Sequence, residues 1–112
     1  MTKQVKTYTD RDDEFRVEFL KDGSPVEDGV ITKAELEFPY RAFVGGVPEV
    51  IDTDTPMVEL VDNSTAILVN LNDSNLREGT HICRLTVWDV STTNGIPWGE
   101  FEVKAEVWSL QN

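Results

Sequence analysis

Apolar side chains recur at every second position through most of the chain, the spacing of strands with one face buried and the other wet. Phe15, Val17 and Phe19 alternate with Arg16 and Glu18, and the run ends at Lys21-Asp22-Gly23-Ser24-Pro25, where Gly and Pro supply turn geometry. Ala34, Leu36 and Phe38 alternate with Lys33, Glu35 and Glu37. They predict a strand over residues 32–38, stopped at Pro39 because proline has no N–H to donate to a ladder. Short strands are predicted over 49–51 and 57–61, on either side of Asp52-Thr53-Asp54-Thr55-Pro56. After the Asp62-Asn63-Ser64 turn, Ile67, Val69 and Leu71 alternate again, with Leu68 interrupting the polar side. Residues 72–76 read as one helical or 3₁₀ turn, capped by Asn72, with Leu76 tucked under the sheets.

Residues 81–88 form the clearest strand, with Cys83, Leu85 and Val87 on one face and Ile82, Arg84, Thr86 and Trp88 on the other. Thr93-Asn94-Gly95-Ile96 supplies a hairpin turn, and Phe101, Val103, Ala105 and Val107 then alternate with Glu102, Lys104, Glu106 and Trp108. Seven or so short strands without a long helix give an all-β class, a two-layer antiparallel sandwich or a small barrel. The predicted core is Phe15, Val17, Phe19, Ala34, Leu36, Phe38, Ile67, Val69, Leu71, Cys83, Leu85, Val87, Phe101, Val103 and Val107. Residues 1–12, rich in Thr and Asp, read as an edge strand or a flexible arm.

Length and composition narrow the partners. At 112 residues the chain is read as one domain spanning 1–112, with 39% hydrophobic residues to build its core. Asp and Glu number 21 against 10 Lys and Arg, a formal net charge of −11. Nucleic acid and anionic membrane are therefore poor partners, since phosphates are bound by neutralising them with Lys and Arg. The charge serves either solubility or docking onto a more basic subunit. A single cysteine, Cys83, allows no internal disulfide and points to a reducing compartment. No apolar stretch reaches the about 18 residues of a membrane span, and the start lacks the apolar run of a signal peptide, so synthesis in the cytoplasm is expected.

Candidate chemistry is sparse. Nucleophilic catalysis needs a nucleophile and a base, and the only pairing on offer is Cys83 with His81, the sole histidine, two residues apart on one strand face. A buried core thiol below a His that ties a turn is the favoured reading, and no enzyme activity is expected. The acidic clusters Asp10-Arg11-Asp12-Asp13-Glu14 and Asp52-Thr53-Asp54 lack EF-hand spacing and read as solvated loops, so no metal or cofactor is expected either. Trp88 and Trp108 both fall opposite the core residues of their strands and, if those strands pair, share one outer surface or are covered by a second layer. Phe43, Val44, Val47, Ile96 and Trp98 lie in loops, outside the period-two pattern. Apolar loop residues either fold back or meet a partner, so these five are the candidate partner-binding residues.

Gly79-Thr80-His81-Ile82-Cys83, followed by Leu85, Val87 and Trp88-Asp89, resembles the corner and strand of immunoglobulin-like domains, with His81 where that pattern usually has tyrosine. An imidazole N–H can substitute for the hydroxyl that ties such a corner to the backbone. An upstream cysteine partner is missing, which excludes the antibody subclass. The order of features from about residue 8 to 108 is similar to the immunoglobulin-like domains of tailed-phage structural proteins, particularly the N-terminal domain of baseplate upper proteins. The matching stretches are Asp12-Asp13-Glu14-Phe15-Arg16-Val17, Lys21-Asp22-Gly23-Ser24-Pro25-Val26, residues 30–38 and 66–71, and Glu78-Gly79-Thr80-His81 leading into the last hairpin. The resemblance implies an immunoglobulin-like sandwich in a virion, within the tail, the baseplate or a capsid decoration. Such a protein binds other virion subunits, self-assembly included, and carries over no catalytic residues. A carbohydrate- or peptide-binding module that uses Trp88, Trp98 or Trp108 stays open as the alternative.

Overall fold

In the computed structural model, which describes residues 3–72 and 74–108, the chain is all-β, with ten strands, two short 3₁₀ turns and no α-helix among the described residues. The strands are β1 (Gln4–Tyr8), β2 (Glu14–Glu18), β3 (Leu20–Lys21), β4 (Ser24–Pro25) and β5 (Lys33–Glu37), then β6 (Ile51–Asp52), β7 (Val58–Val61), β8 (Ala66–Asn70), β9 (Gly79–Trp88) and β10 (Ile96–Glu106). Five of them form the main sheet in the order β1-β10-β9-β5-β6, three form a second sheet, β2-β8-β7, and β3 and β4 make a two-residue ribbon. Ten strands stand where about seven were expected: β1 lies in the stretch read as an edge strand or arm, and the two-residue pieces β3 and β4, at the predicted 21–25 turn, are too short to show alternation.

The arrangement is mixed rather than wholly antiparallel. β1 runs parallel to β10, with Val5 opposite Val103 and Thr7 opposite Ala105. Parallel neighbours need a long crossover, and here the whole intervening chain supplies it. Residues 4–8 are thus an edge strand rather than a flexible arm.

One buried cluster takes side chains from both sheets. Phe15, Ile67 and Val69 come from the three-stranded sheet, and Ala34, Leu36, Cys83, Leu85, Val87, Phe101, Val103 and Ala105 from the main one. Phe19, Phe38 and Leu71, just outside the strands, belong to it as well, and Val17 is half-buried against it. Val107 departs from its predicted core place and is 43% exposed. The ladder with β9 ends where Ala105 meets Gly79, and β1 ends opposite Glu106, so no strand flanks residue 107.

The Ser74 amide and hydroxyl both donate to the Leu71 carbonyl, at 3.1 and 2.8 Å, the three-residue spacing of a 3₁₀-type turn; Asp73, within the predicted 72–76 turn, lies outside the described residues. Leu76 is buried as expected, paired across an isolated bridge with Phe43. That bridge pulls residues 42–44 onto the core: the Arg77 amide donates to the Ala42 carbonyl at 2.7 Å and the Val44 amide to the Asn75 carbonyl at 2.8 Å.

The corner at the start of β9 is tied by a side chain. His81 Nε2 lies 2.8 Å from the Arg77 carbonyl oxygen. A carbonyl only accepts, so Nε2 carries the proton and donates.

Candidate docking surface

On the outward face of the main sheet, alternation that sends Cys83, Leu85 and Val87 inward sends Ile82 and Arg84 outward. Ile82 is 52% exposed in the middle of the longest hairpin, where a polar residue would solvate more readily. Register sets Glu37 opposite Arg84 and Arg84 opposite Glu100, a charged row across β5, β9 and β10, and Arg84 Nε meets Glu100 Oε2 at 2.9 Å.

Beside this row, residues 39–50 rise as a wall. Pro39 ends β5, and 3₁₀ turns follow at Tyr40–Ala42 and Val44–Gly46. Between wall and sheet lies a groove of about 650 Å³. Its apolar surface includes Tyr40, Val50 and Ile82, the first two 71% and 64% exposed, and its charged residues are Glu35, Glu37, Glu49 and Glu100 against Arg84 alone. The Glu49 carboxylate accepts a hydrogen bond from the Asn75 amide, which fixes the wall to the turn that follows β8. Exposed apolar groups collected in a concave, polar-rimmed surface are the usual material of a protein contact.

The five candidate partner-binding residues do not come together. Phe43 is 1% exposed and packs edge-on to Phe38 at 6.1 Å, so it is a core residue, held there by the 42–44 pairing with 75–77. Ile96 and Trp98 are half-buried against the core, and Trp98 packs edge-on to Phe19 at 6.2 Å. A bulge explains them: Ile96 pairs with Val87 and Gly99 with Leu85, so β10 spends one extra residue and its inward parity switches. Even positions 96 and 98 face the core before the bulge, and odd positions 101, 103 and 105 after it. Val44 and Val47 alone of the five are exposed, on the same loop as Tyr40 and Val50. Sequence reasoning points to the irregular 40–48 segment as a contact region without singling out Tyr40, and it missed Val50; Ile82 was already on the outer face of its strand, where an aliphatic is the available signal.

The tryptophans are dispersed. Trp88 lies under Lys33, whose Nζ is 5.0 Å from the ring, and donates through Nε1 to the Thr93 carbonyl at 3.3 Å. Trp108 stands edge-on to Tyr8 at 5.0 Å with Arg11 over its ring at 5.2 Å. Because Ala105 pairs with Gly79, the two indoles sit at opposite ends of the hairpin, with about 30 Å of strand from Gly79 to Trp88 between them, and share no surface.

The acidic clusters are engaged in turns. Asp13 accepts from the Tyr8 amide at 2.9 Å, Asp10 from the Trp108 amide at 2.9 Å, and Asp52 from the Asp54 amide at 2.9 Å with Lys33 at 3.6 Å. No group of three or more potential ligands is placed to hold a metal ion among the described residues. Burial pushes the Cys83 thiol well above the usual thiol range, and the His81 Nε2 is directed at Arg77. No family model, curated protein or solved structure significantly matches the chain.

Proposed function

We propose that the chain is a non-catalytic structural module of a tailed-phage virion, an immunoglobulin-like sandwich that works by holding other protein subunits. The strand order carries this reading. β10-β9-β5-β6 in one sheet and β2-β8-β7 in the other follow the neighbour pattern of a variable-type immunoglobulin domain, in which strands G, F, C and C′ share one sheet and B, E and D the other. The His81–Arg77 bond takes the place of the tyrosine tie two residues before the core cysteine position, here Cys83. The virion assignment itself stands on the resemblance described above. The contact surface is the groove beside Tyr40, Val50 and Ile82, with Val44 and Val47 on the same loop.

A carbohydrate- or peptide-binding module built on tryptophans gains no support, because Trp88 and Trp108 sit at opposite ends of the hairpin and Trp98 is turned toward the core. The test replaces Tyr40 and Ile82 together by serine, confirms folding by circular dichroism, and measures incorporation of the chain into particles produced in the host. Both side chains are solvent-facing, so the variant should fold and fail to incorporate. Wild-type incorporation of the folded variant would remove this surface from the reading, and absence of the unmodified chain from purified particles would remove the virion assignment.

A further inference from the structure

We infer that the groove beside β5 and β9 receives an extended, lysine- or arginine-bearing segment of a partner protein; this rests on the docking reading above and names the partner's chemistry. Four carboxylates, Glu35, Glu37, Glu49 and Glu100, line the groove against one guanidinium, Arg84. Arg84 is already engaged by Glu100 at 2.9 Å, while Glu35 and Glu37 form no ion pair among the described residues. A cationic segment would therefore meet two unneutralised carboxylates without having to displace an existing pair.

Spacing specifies the form of the segment. Glu35 and Glu37 lie two residues apart on one face of β5, about 7 Å along the strand, which is also the separation of alternate side chains in an extended peptide. Basic side chains at alternate positions match both carboxylates at once. Their aliphatic stems, and an apolar residue between or beside them, have Ile82, Val50 and Tyr40 to lie against. The net charge of −11 adds long-range attraction of the same sign, so encounter is steered toward basic partners. Nucleic acid is disfavoured by the same carboxylates, and a neutral sugar would gain nothing from them.

The test uses a short fluorescent peptide of alternating lysine and leucine, titrated into the full chain at low salt. The double substitution Glu35→Gln and Glu37→Gln should weaken binding about five- to thirty-fold, the range for two partly screened ion pairs. The control Asp22→Asn with Glu59→Gln removes the same net charge from exposed positions outside the groove and should change binding less than about two-fold. Amide shifts in the nuclear magnetic resonance spectrum should concentrate at 35–37, 50 and 82–84. Equal weakening by both double variants, shifts centred elsewhere, or no binding would overturn the inference. Particle incorporation separates it from the reading beneath it: loss with Tyr40→Ser/Ile82→Ser but not with Glu35→Gln/Glu37→Gln overturns the basic segment and keeps the docking surface, whereas no loss with either overturns the docking surface.

Discussion

Gly95 holds the β9–β10 turn at φ +86°, and a β-carbon there would stand 2.5 Å from Thr86 Cγ2 and 2.8 Å from Trp88 Cε2. Both the left-handed backbone and the close approach exclude a side chain, so Gly95→Ala should lower stability by about 2 kcal/mol or more in urea unfolding. A loss under about 0.5 kcal/mol would show that the turn relaxes freely. Leu85 is a simpler case. It is buried between the sheets, and Leu85→Ala should cost about 2–5 kcal/mol through lost transfer energy and the cavity left behind. Cys83 is buried and its thiol stays protonated, so a thiol reagent should label it only as fast as the chain opens, and stability should not depend on reductant. Rapid labelling of the folded protein would refute its burial.

The places of Leu85 and Cys83 were readable from alternation, because a strand with one wet face announces its inward positions, and Gly95 from the Asn94-Gly95 turn signal. Elements whose geometry depends on distant chain were not. Phe43 is buried by pairing with residues more than thirty positions away, and no local pattern around it records that contact. Trp98 and Ile96 look like loop residues because the bulge between Pro97 and Gly99 reverses parity; Pro97, which cannot donate to the ladder, is the one local sign of it. The parallel β1–β10 pair joins the two ends of the chain and is equally invisible to short-range periodicity. The groove was half legible: Ile82 was assigned outward, but Tyr40 and Val50 acquire meaning only once 39–50 is placed beside it. Strand ends follow the same logic, since alternation says which face a residue takes but not where its neighbours stop. Val103→Ser, inside the paired region, should cost about 2–4 kcal/mol, and Val107→Ser, beyond it, less than about 0.5 kcal/mol. Similar losses from both would mean that the described end of β10 is wrong.

For the molecule as a whole, charge sets the pH response. Glu106 lies between Lys6 at 3.1 Å and Lys104 at 3.4 Å, and its hydrogen bond from Lys6 is the first cause that holds its carboxyl below the ordinary 4.5. The backbone N–H of Ser91 does the same for Asp89, below 3.8. A carboxyl depressed in the folded state contributes stability that is present above its unfolded pKa and lost as pH falls through the folded one. These contributions are therefore intact above about pH 4.5 and disappear below it. Lys6 behaves in the opposite sense: its bond to Glu106 raises it above 10.5, so its share is present below that value and lost as pH rises past it. Lys6 and Glu106 thus make the parallel β1–β10 edge a joint that loosens at both extremes. Against this, the net charge of −11 repels itself at neutral pH, so lowering that charge with acid, or screening it with added salt, relieves the repulsion. Thermal stability at low salt should thus peak on the mildly acidic side and fall below about pH 4. Lys6→Met removes the largest cause acting on Glu106 and should flatten both the acid and the alkaline limbs, because Glu106 then titrates nearer its ordinary value and the raised Lys6 ammonium is gone. Melting curves of the two proteins from pH 3 to 11 decide it, and superimposable limbs would mean that the ion pair at the parallel edge contributes nothing to the fold.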